Sequence, residues 1–150
     1  MRGYCGIGIY APKMPVNVGV LWRSAQLLGA DWIFTIGARY KRQPSDRYNA
    51  AKHLPLMSFD NRDQFRAFLD TLPRSVQLVG VELCPPISFS IGRWRHPERA
   101  VYLLGSEDDG LPTYMRDWCQ PIIHLPGERS MNVAMAGTIV LYDRLQKGEK

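Results

Sequence analysis

Residues 122–143 read IIHLPGERSMNVAMAGTIVLYD, an apolar strand, a Pro-Gly loop and a long apolar helix joined through Ser130 and Asn132. Pro126 and Gly127 suit a bend, and Ser130 suits an N-cap whose hydroxyl accepts from the free amides of the first turn, with the helix running to about Gln146. Polar groups at such a joint mark a candidate site. From Val133 to Leu141 the helix offers one hydroxyl, Thr138, and three very small residues, Ala134, Ala136 and Gly137, which let other backbone approach closely. With no polar face along that stretch, the helix is expected to be buried on more than one side. It either threads the middle of the fold or supplies a subunit interface.

Upstream of this joint, short apolar runs occur at residues 6–10, 32–36, 76–81, 100–104 and 121–125. Several lack polar alternation, as strands covered on both faces do, and this predicts parallel pairing. Helical stripes separate them: Val18, Leu21, Trp22, Ala25 and Leu28 end at Gly29, and Phe65, Phe68, Leu69 and Leu72 end before Pro73. A short helix is expected from Pro112 or Thr113. The pattern predicts an α/β fold, a mostly parallel sheet flanked by helices. Ligands of such sheets sit beyond the carboxyl ends of the strands. The candidate loops are therefore residues 12–17, 105–112 and 126–130, with the turn at 82–86 lining the same region.

A chain of 150 residues fits a single domain spanning 1–150, able to bury roughly two-thirds of its unfolded surface. No apolar run approaches the roughly 20 residues of a membrane span, and the opening MRGYCGIGIYAP has too short an apolar core for a signal peptide, so a cytosolic protein is expected. Cys5, Cys84 and Cys119 are odd in number and none is spaced for a metal, which predicts free thiols. The net charge of +5 favours a polyanionic partner. Arg39, Lys41, Arg42, Arg47 and Lys52 interleave with Tyr40 and Tyr48, opposed only by Asp46, a pattern suited to phosphate contact with base stacking. A second cluster is Arg93, Trp94, Arg95, His96 and Arg99. Each also reads as a solvated loop.

The segment LLGSEDDGLP (Leu103 to Pro112) combines a strand end, two glycines, an acidic run and a helix-opening proline. Glu107 could hold a cationic or hydroxylated ligand, or the three acids could simply favour the N-terminus of the following helix. A metal is not expected, since adjacent carboxylates diverge and no EF-hand spacing exists. Asn17 stands at a predicted helix start and Arg23 nearly opposite the apolar stripe; taken singly they read as a cap and a solvated arginine. GERSMN is not a G-x-S-x-G elbow, no G-x-x-x-x-G-K-[ST] loop occurs, and GIGIY lacks the third glycine of a dinucleotide-binding turn. His53, His96 and His124 are scattered and read as structural or solvated.

Taken together and in order, NVGVLWR (Asn17 to Arg23), LLGSEDDGLP and IHLPGERSMNVAMAGTIVLYD resemble the three motifs of SpoU, or TrmH-type, RNA ribose 2′-O-methyltransferases of the SPOUT class. The resemblance implies a parallel α/β fold with a C-terminal trefoil knot, an exception to the usual absence of knots, and a homodimer. It implies S-adenosylmethionine as methyl donor, held by backbone around Leu104–Gly105, Leu125–Pro126 and Met131, with Gly110 close by and Glu82 and Leu83 beside the adenosine. Arg23 matches the motif-one arginine associated with catalysis and Asn17 the asparagine that helps position it. Glu107, Ser130 and Asn132 match the motif residues near the donor. A guanidinium, with a pKa above about 12, is a poor base, so Arg23 is expected to bind RNA phosphate and stabilise developing alkoxide. The RNA surface is expected at Arg23 and at Arg39, Lys41, Arg42, Arg47 and Lys52. The favoured substrate is tRNA; the alternatives are rRNA, a non-catalytic RNA-binding role, a base-methylating enzyme of the same class and a nicotinamide oxidoreductase.

Overall fold

β-Branched and aromatic runs become strands where both faces can be covered. In a computed structural model describing residues 3–38, 53–84 and 86–148, these are β1 (Cys5–Tyr10), β2 (Trp32–Ile36), β3 (Leu56–Phe59), β4 (Gln77–Val81), β5 (Phe89–Ser90), β6 (Ala100–Leu104) and β7 (Ile122–His124). They form one sheet in the order β3-β2-β1-β6-β4-β7-β5, and every pairing is parallel. β2 and β6 are buried along their whole length, as their lack of polar alternation predicts, with Thr35 the one polar residue of β2. The sequence pattern anticipates five strands and misses β3 and β5. β3 is four residues long with Ser58 exposed, and β5 is a two-residue, exposed edge, both too short to show a period.

Four helices among the described residues cover the sheet: α1 (Pro15–Leu27), α2 (Arg62–Leu69), α3 (Thr113–Arg116) and α4 (Val133–Gly148). Ile7, Ile9, Val81, Tyr102 and Leu104 pack in one layer with Leu21 of α1 and Val133 and Val140 of α4. Phe34, Ile36, Val101 and Leu103 form the other layer with Phe65 of α2 and Met115 of α3. Gly6 and Gly8 open room in that second layer. A Cβ on Gly6 would lie 2.4 Å from the Trp32 ring, and one on Gly8 2.4 Å from the Phe34 ring. The GIGI run therefore serves aromatic packing, which removes the remaining case for a dinucleotide turn.

Two helix starts differ from expectation. Asn132, not Ser130, caps α4: its Oδ1 accepts from Ala134 N at 2.9 Å and Met135 N at 3.2 Å, so the helix begins at Val133. Ser130 is left exposed in the preceding loop. α1 begins at Pro15, with Met14 at the cap position and no side-chain cap bond, so Asn17 sits inside the first turn rather than ahead of it.

α4 packs on α1 with one side turned outward. Val133, Ala134, Ala136, Gly137, Val140 and Leu141 are buried, whereas Met135, Ile139, Tyr142 and Leu145 on its outer side are exposed. Val16, Val20 and Leu27 of α1 are exposed too. The far end of α4 is held by polar contacts. His96 pairs through Nδ1 with Tyr102 Oη at 2.6 Å and through Nε2 with Asp143 Oδ2 at 2.8 Å, and Lys147 Nζ donates to the carbonyls of Ile91 (2.6 Å) and Trp94 (3.1 Å). Burial pulls the His96 pKa below its ordinary value despite Asp143, so the ring is neutral at pH 7 and the contact is a hydrogen bond rather than an ion pair. This accounts for His96 and Trp94 structurally, while Arg93 and Arg95 remain exposed. No described helix is long and apolar enough to cross a membrane.

Candidate active site

The carboxyl ends of β1, β4, β6 and β7 bring four loops together, and a chain of polar side chains ties three of them. Glu107, beyond β6, accepts from Lys13 N (2.9 Å), Met14 N (3.2 Å) and Asn17 Nδ2 (2.8 Å). α1 has no acid in its own first turn, so this carboxylate from a distant loop satisfies amides ahead of the helix and complements its dipole. The helix that benefits is α1, not the following helix α3. Asn17 Oδ1 in turn accepts from Asn132 Nδ2 at 3.0 Å, and Asn132 Oδ1 takes the α4 amides.

The direction of this chain is set at both ends. A carboxylate can only accept and helix amides can only donate, so each asparagine has one workable orientation. Asn17 is 7% exposed, so its amide must find partners within the protein. Burial alone would raise the Glu107 pKa, but the hydrogen bonds from Asn17, Lys13 and Met14 outweigh it and hold the carboxyl below its ordinary value.

Beside this chain, at the ends of β4, β6 and β7, opens a cavity of about 220 Å³. Its apolar lining includes Leu83, Leu104, Leu125, Met131, Val133 and Ala136; its rim carries Glu82, Glu107, Asp108 and Asp109, with Arg129 as the cation among the lining residues. One wall is the turn at 105–111. Glu82 Oε2 accepts from Leu111 N at 2.6 Å and Oε1 from its neighbour Leu83 N at 3.2 Å, pinning the turn to the end of β4. Gly110 has φ +65°, and a Cβ there would meet Glu82 Oε2 at 2.5 Å, so both conformation and space demand glycine. A Cβ on Gly105 would fall 2.1 Å from the Gly110 carbonyl carbon. Ser106 Oγ accepts from Asp109 N at 3.2 Å and closes the turn.

Of the residues named from sequence, Glu82, Leu83, Leu104, Gly105, Glu107, Gly110, Leu125, Pro126, Ser130 and Met131 line this cavity. Asn17 and Asn132 do not line it; they join the polar chain to Glu107, which does. Arg23 is exposed on α1, outside the cavity lining, on the turn between Val20 and Leu27. Arg39, Lys41, Arg42, Arg47 and Lys52 lie outside the described residues. Sequence reasoning missed Arg129, although it is the one cation of the 126–130 loop, and Lys13, whose Nζ stands 2.5 Å from Asp108. It also missed the clamp made by Glu82, which leaves no local pattern. Among the described residues no cluster of histidine, cysteine, aspartate or glutamate could hold a metal ion, and the cysteines at 5, 84 and 119 are free thiols.

Residues 6–142 match the family model described as the SpoU rRNA Methylase family. The chain is 25% identical over 138 residues to tRNA (guanosine(18)-2′-O)-methyltransferase TARBP1 of Mus musculus, covering 86% of this chain and 8% of the mouse protein. The match thus spans a small part of that relative. Among solved structures, the SpoU methyltransferase AviRb from Streptomyces viridochromogenes in complex with the cofactor AdoMet superposes with TM-score 0.80 at 21% identity, over 100% of this chain and 60% of that one. A structure described as giving insights into the 2-OH methylation of C/U34 on tRNA superposes with TM-score 0.82 at 24% identity, over 99% of each chain. At these identities the structural likenesses are likenesses of fold.

Proposed function

We propose, since this chain belongs to the SpoU rRNA Methylase family, that it transfers a methyl group from S-adenosylmethionine to a ribose 2′-hydroxyl of RNA, with tRNA as substrate. The observation that carries the reading is the chain Glu107–Asn17–Asn132, which joins three separated segments by hydrogen bonds of 2.8 and 3.0 Å beside a cavity at the strand ends. The tRNA assignment is supported by the mouse relative and by the fold matched over 99% of both chains in the C/U34 study.

The cavity suits the donor chemically. S-adenosylmethionine carries a sulfonium and an ammonium, which the acidic rim of Glu107, Asp108 and Asp109 complements, while Arg129 complements its carboxylate. Leu104, Leu125 and Val133 offer an apolar wall for its purine, and Leu83 and the backbone at Gly105, Pro126 and Met131 complete the holding surface. When bound, the donor supplies a methyl carbon activated by its sulfonium. The chain's own contribution is position: Glu82 and Gly110 fix the shape of the turn, and the asparagine chain fixes α4 against it. Ser130, exposed at the cavity mouth, orients the incoming ribose. Arg23 binds RNA phosphate and stabilises the alkoxide as the hydroxyl loses its proton.

Arg23 shares α1 with the exposed Val16, Val20 and Leu27, next to the exposed Met135, Ile139 and Tyr142 of α4. A contiguous apolar surface of this kind fits a second copy of the chain, and pairing through it would account for Arg23 standing outside its own cavity. A homodimer, a C-terminal knot, a single catalytic domain over 1–150 and a cytosolic location belong to the same reading. Arg23→Ala and Arg23→Lys test the arginine's role. Loss of transfer in both, with RNA binding kept in the lysine variant, supports a guanidinium-specific contact; retained activity in the lysine variant reduces the role to charge.

Incubation with labelled S-adenosylmethionine and total RNA, separated into tRNA and rRNA and digested to nucleosides, tests the whole. Ribose-methylated nucleosides from tRNA are expected. Label on rRNA ribose moves the substrate, label on a base refutes the 2′-O assignment, and no transfer despite measured donor binding refutes the enzymatic reading.

A further inference from the structure

A second feature, outside the cavity lining, joins α2 to the α3 region. Arg62 and Arg66 of α2 lie over the rings of Tyr114 in α3 and Trp118 just beyond it: the Arg62 guanidinium carbon stands 4.7 Å from the Tyr114 centroid and 5.9 Å from that of Trp118, and Arg66 stands 5.3 Å from Trp118. Tyr114 is steadied by a hydrogen bond between its hydroxyl and that of Tyr10. The two rings meet edge to face with centroids 6.2 Å apart. The patch is open, with the Arg62 and Arg66 side chains 47% and 51% exposed and Tyr114 44%.

We infer that this patch is a docking surface for unpaired nucleotides of the RNA substrate, an inference that rests on the RNA-methylating function proposed above. An exposed arginine over a ring presents a guanidinium on which a base can stack, and N–H groups that can reach phosphate. The carboxylates beside them, Asp63 at 3.8 Å from Arg62 and Asp70 at 3.4 Å from Arg66, are exposed partners that contribute little and yield to a phosphate. Location argues for the substrate rather than another occupant. Tyr114 follows Gly110 of the cavity wall by four residues, and Tyr10 precedes by three the Lys13 amide that Glu107 accepts, so patch and cavity share the carboxyl edge of the sheet.

The test compares the full chain with Arg62→Gln/Arg66→Gln and Arg62→Lys/Arg66→Lys, measuring affinity for unmodified tRNA and for a single-stranded RNA 12-mer against a blunt duplex of the same sequence. Donor binding by calorimetry reports that the fold and cavity are intact. Stacking predicts that both double variants lose roughly fivefold or more in single-strand and tRNA affinity, with duplex and donor binding unchanged. Rescue by the lysine pair would reduce the patch to charge and overturn the stacking inference, as would unchanged affinity in the glutamine pair. In that second case wild-type RNA binding leaves the proposed function standing. If the wild-type chain binds no RNA at all, both the inference and the function fall.

Discussion

Asn17→Asp exchanges the side-chain NH2 for an oxygen, keeping the acceptor for Asn132 and removing the donor to Glu107. The amide that donates to Glu107 at 2.8 Å becomes a second carboxylate oxygen facing the first, in a position only 7% exposed. Two charges about 3 Å apart repel by roughly 5 kcal/mol at an effective dielectric near 20. Protonating one of them at pH 7, from an ordinary value near 4, costs about 4 kcal/mol. Protonation is the cheaper route, so a shared proton is expected, and the variant is about 4 kcal/mol less stable at pH 7. The substituted carboxyl has its folded pKa raised above the unfolded one. The penalty is therefore absent below the unfolded value and grows by about 1.4 kcal/mol per pH unit until the folded pKa is reached. Asn17→Ala, in contrast, leaves Glu107 one donor short and Asn132 Nδ2 without an acceptor, a loss of about 1–3 kcal/mol with no comparable dependence on pH. Urea unfolding of wild type and both variants at pH 7.5, 6 and 5 separates them. A deficit in the aspartate variant that equals the alanine deficit and does not shrink towards pH 5 would refute the proposed direction of the chain.

Three further outcomes follow from the geometry. Asn132→Ala removes the α4 cap and is expected to cost about 1–2 kcal/mol in unfolding experiments, whereas Ser130→Ala leaves stability unchanged and lowers methyl transfer; the reverse pattern would restore Ser130 as the cap. Gly105→Ala puts a methyl 2.1 Å from the Gly110 carbonyl carbon, where only backbone can give way, so donor affinity by calorimetry should fall at least tenfold, and normal affinity would show that the turn is not a cavity wall. Because hydrogen bonds hold the Glu107 pKa below its ordinary 4.5, its contribution is present above that value and lost as pH falls through the folded one. Glu107→Gln should flatten that acid limb of the stability curve, and an unchanged limb would assign acid sensitivity to other groups.

Periodicity alone conveyed the parallel sheet, because β2 and β6 lack polar alternation, and the helices, because Leu21 and Phe65 fall on regular stripes. It could not convey β3 or β5, which are held by neighbours rather than by their own pattern. The loops that meet at the strand ends were legible from Gly105, Pro112 and Pro126. Which polar group caps which helix was not, since Ser130 and Asn132 are equally good caps by composition and tertiary pairing with Asn17 decides between them. The Glu82 clamp and the stacked arginines at 62 and 66 join residues 29 or more positions apart, a distance over which sequence spacing carries no signal.

The bond between Asn17 and Asn132 spans 115 residues, and Val133 and Ala136 of the last helix also line the cavity. The binding site is therefore completed by a helix far in sequence from the loops it meets. Until α4 docks, the Asn17 carbonyl lacks its donor and the cavity lacks a wall, so a chain at that stage has nothing to offer a ligand. Binding is thereby linked to the docking of α4. Donor at a hundred times its Kd stabilises the folded state by about 2.7 kcal/mol over every state that does not bind it, and a chain with α4 undocked is one of those states.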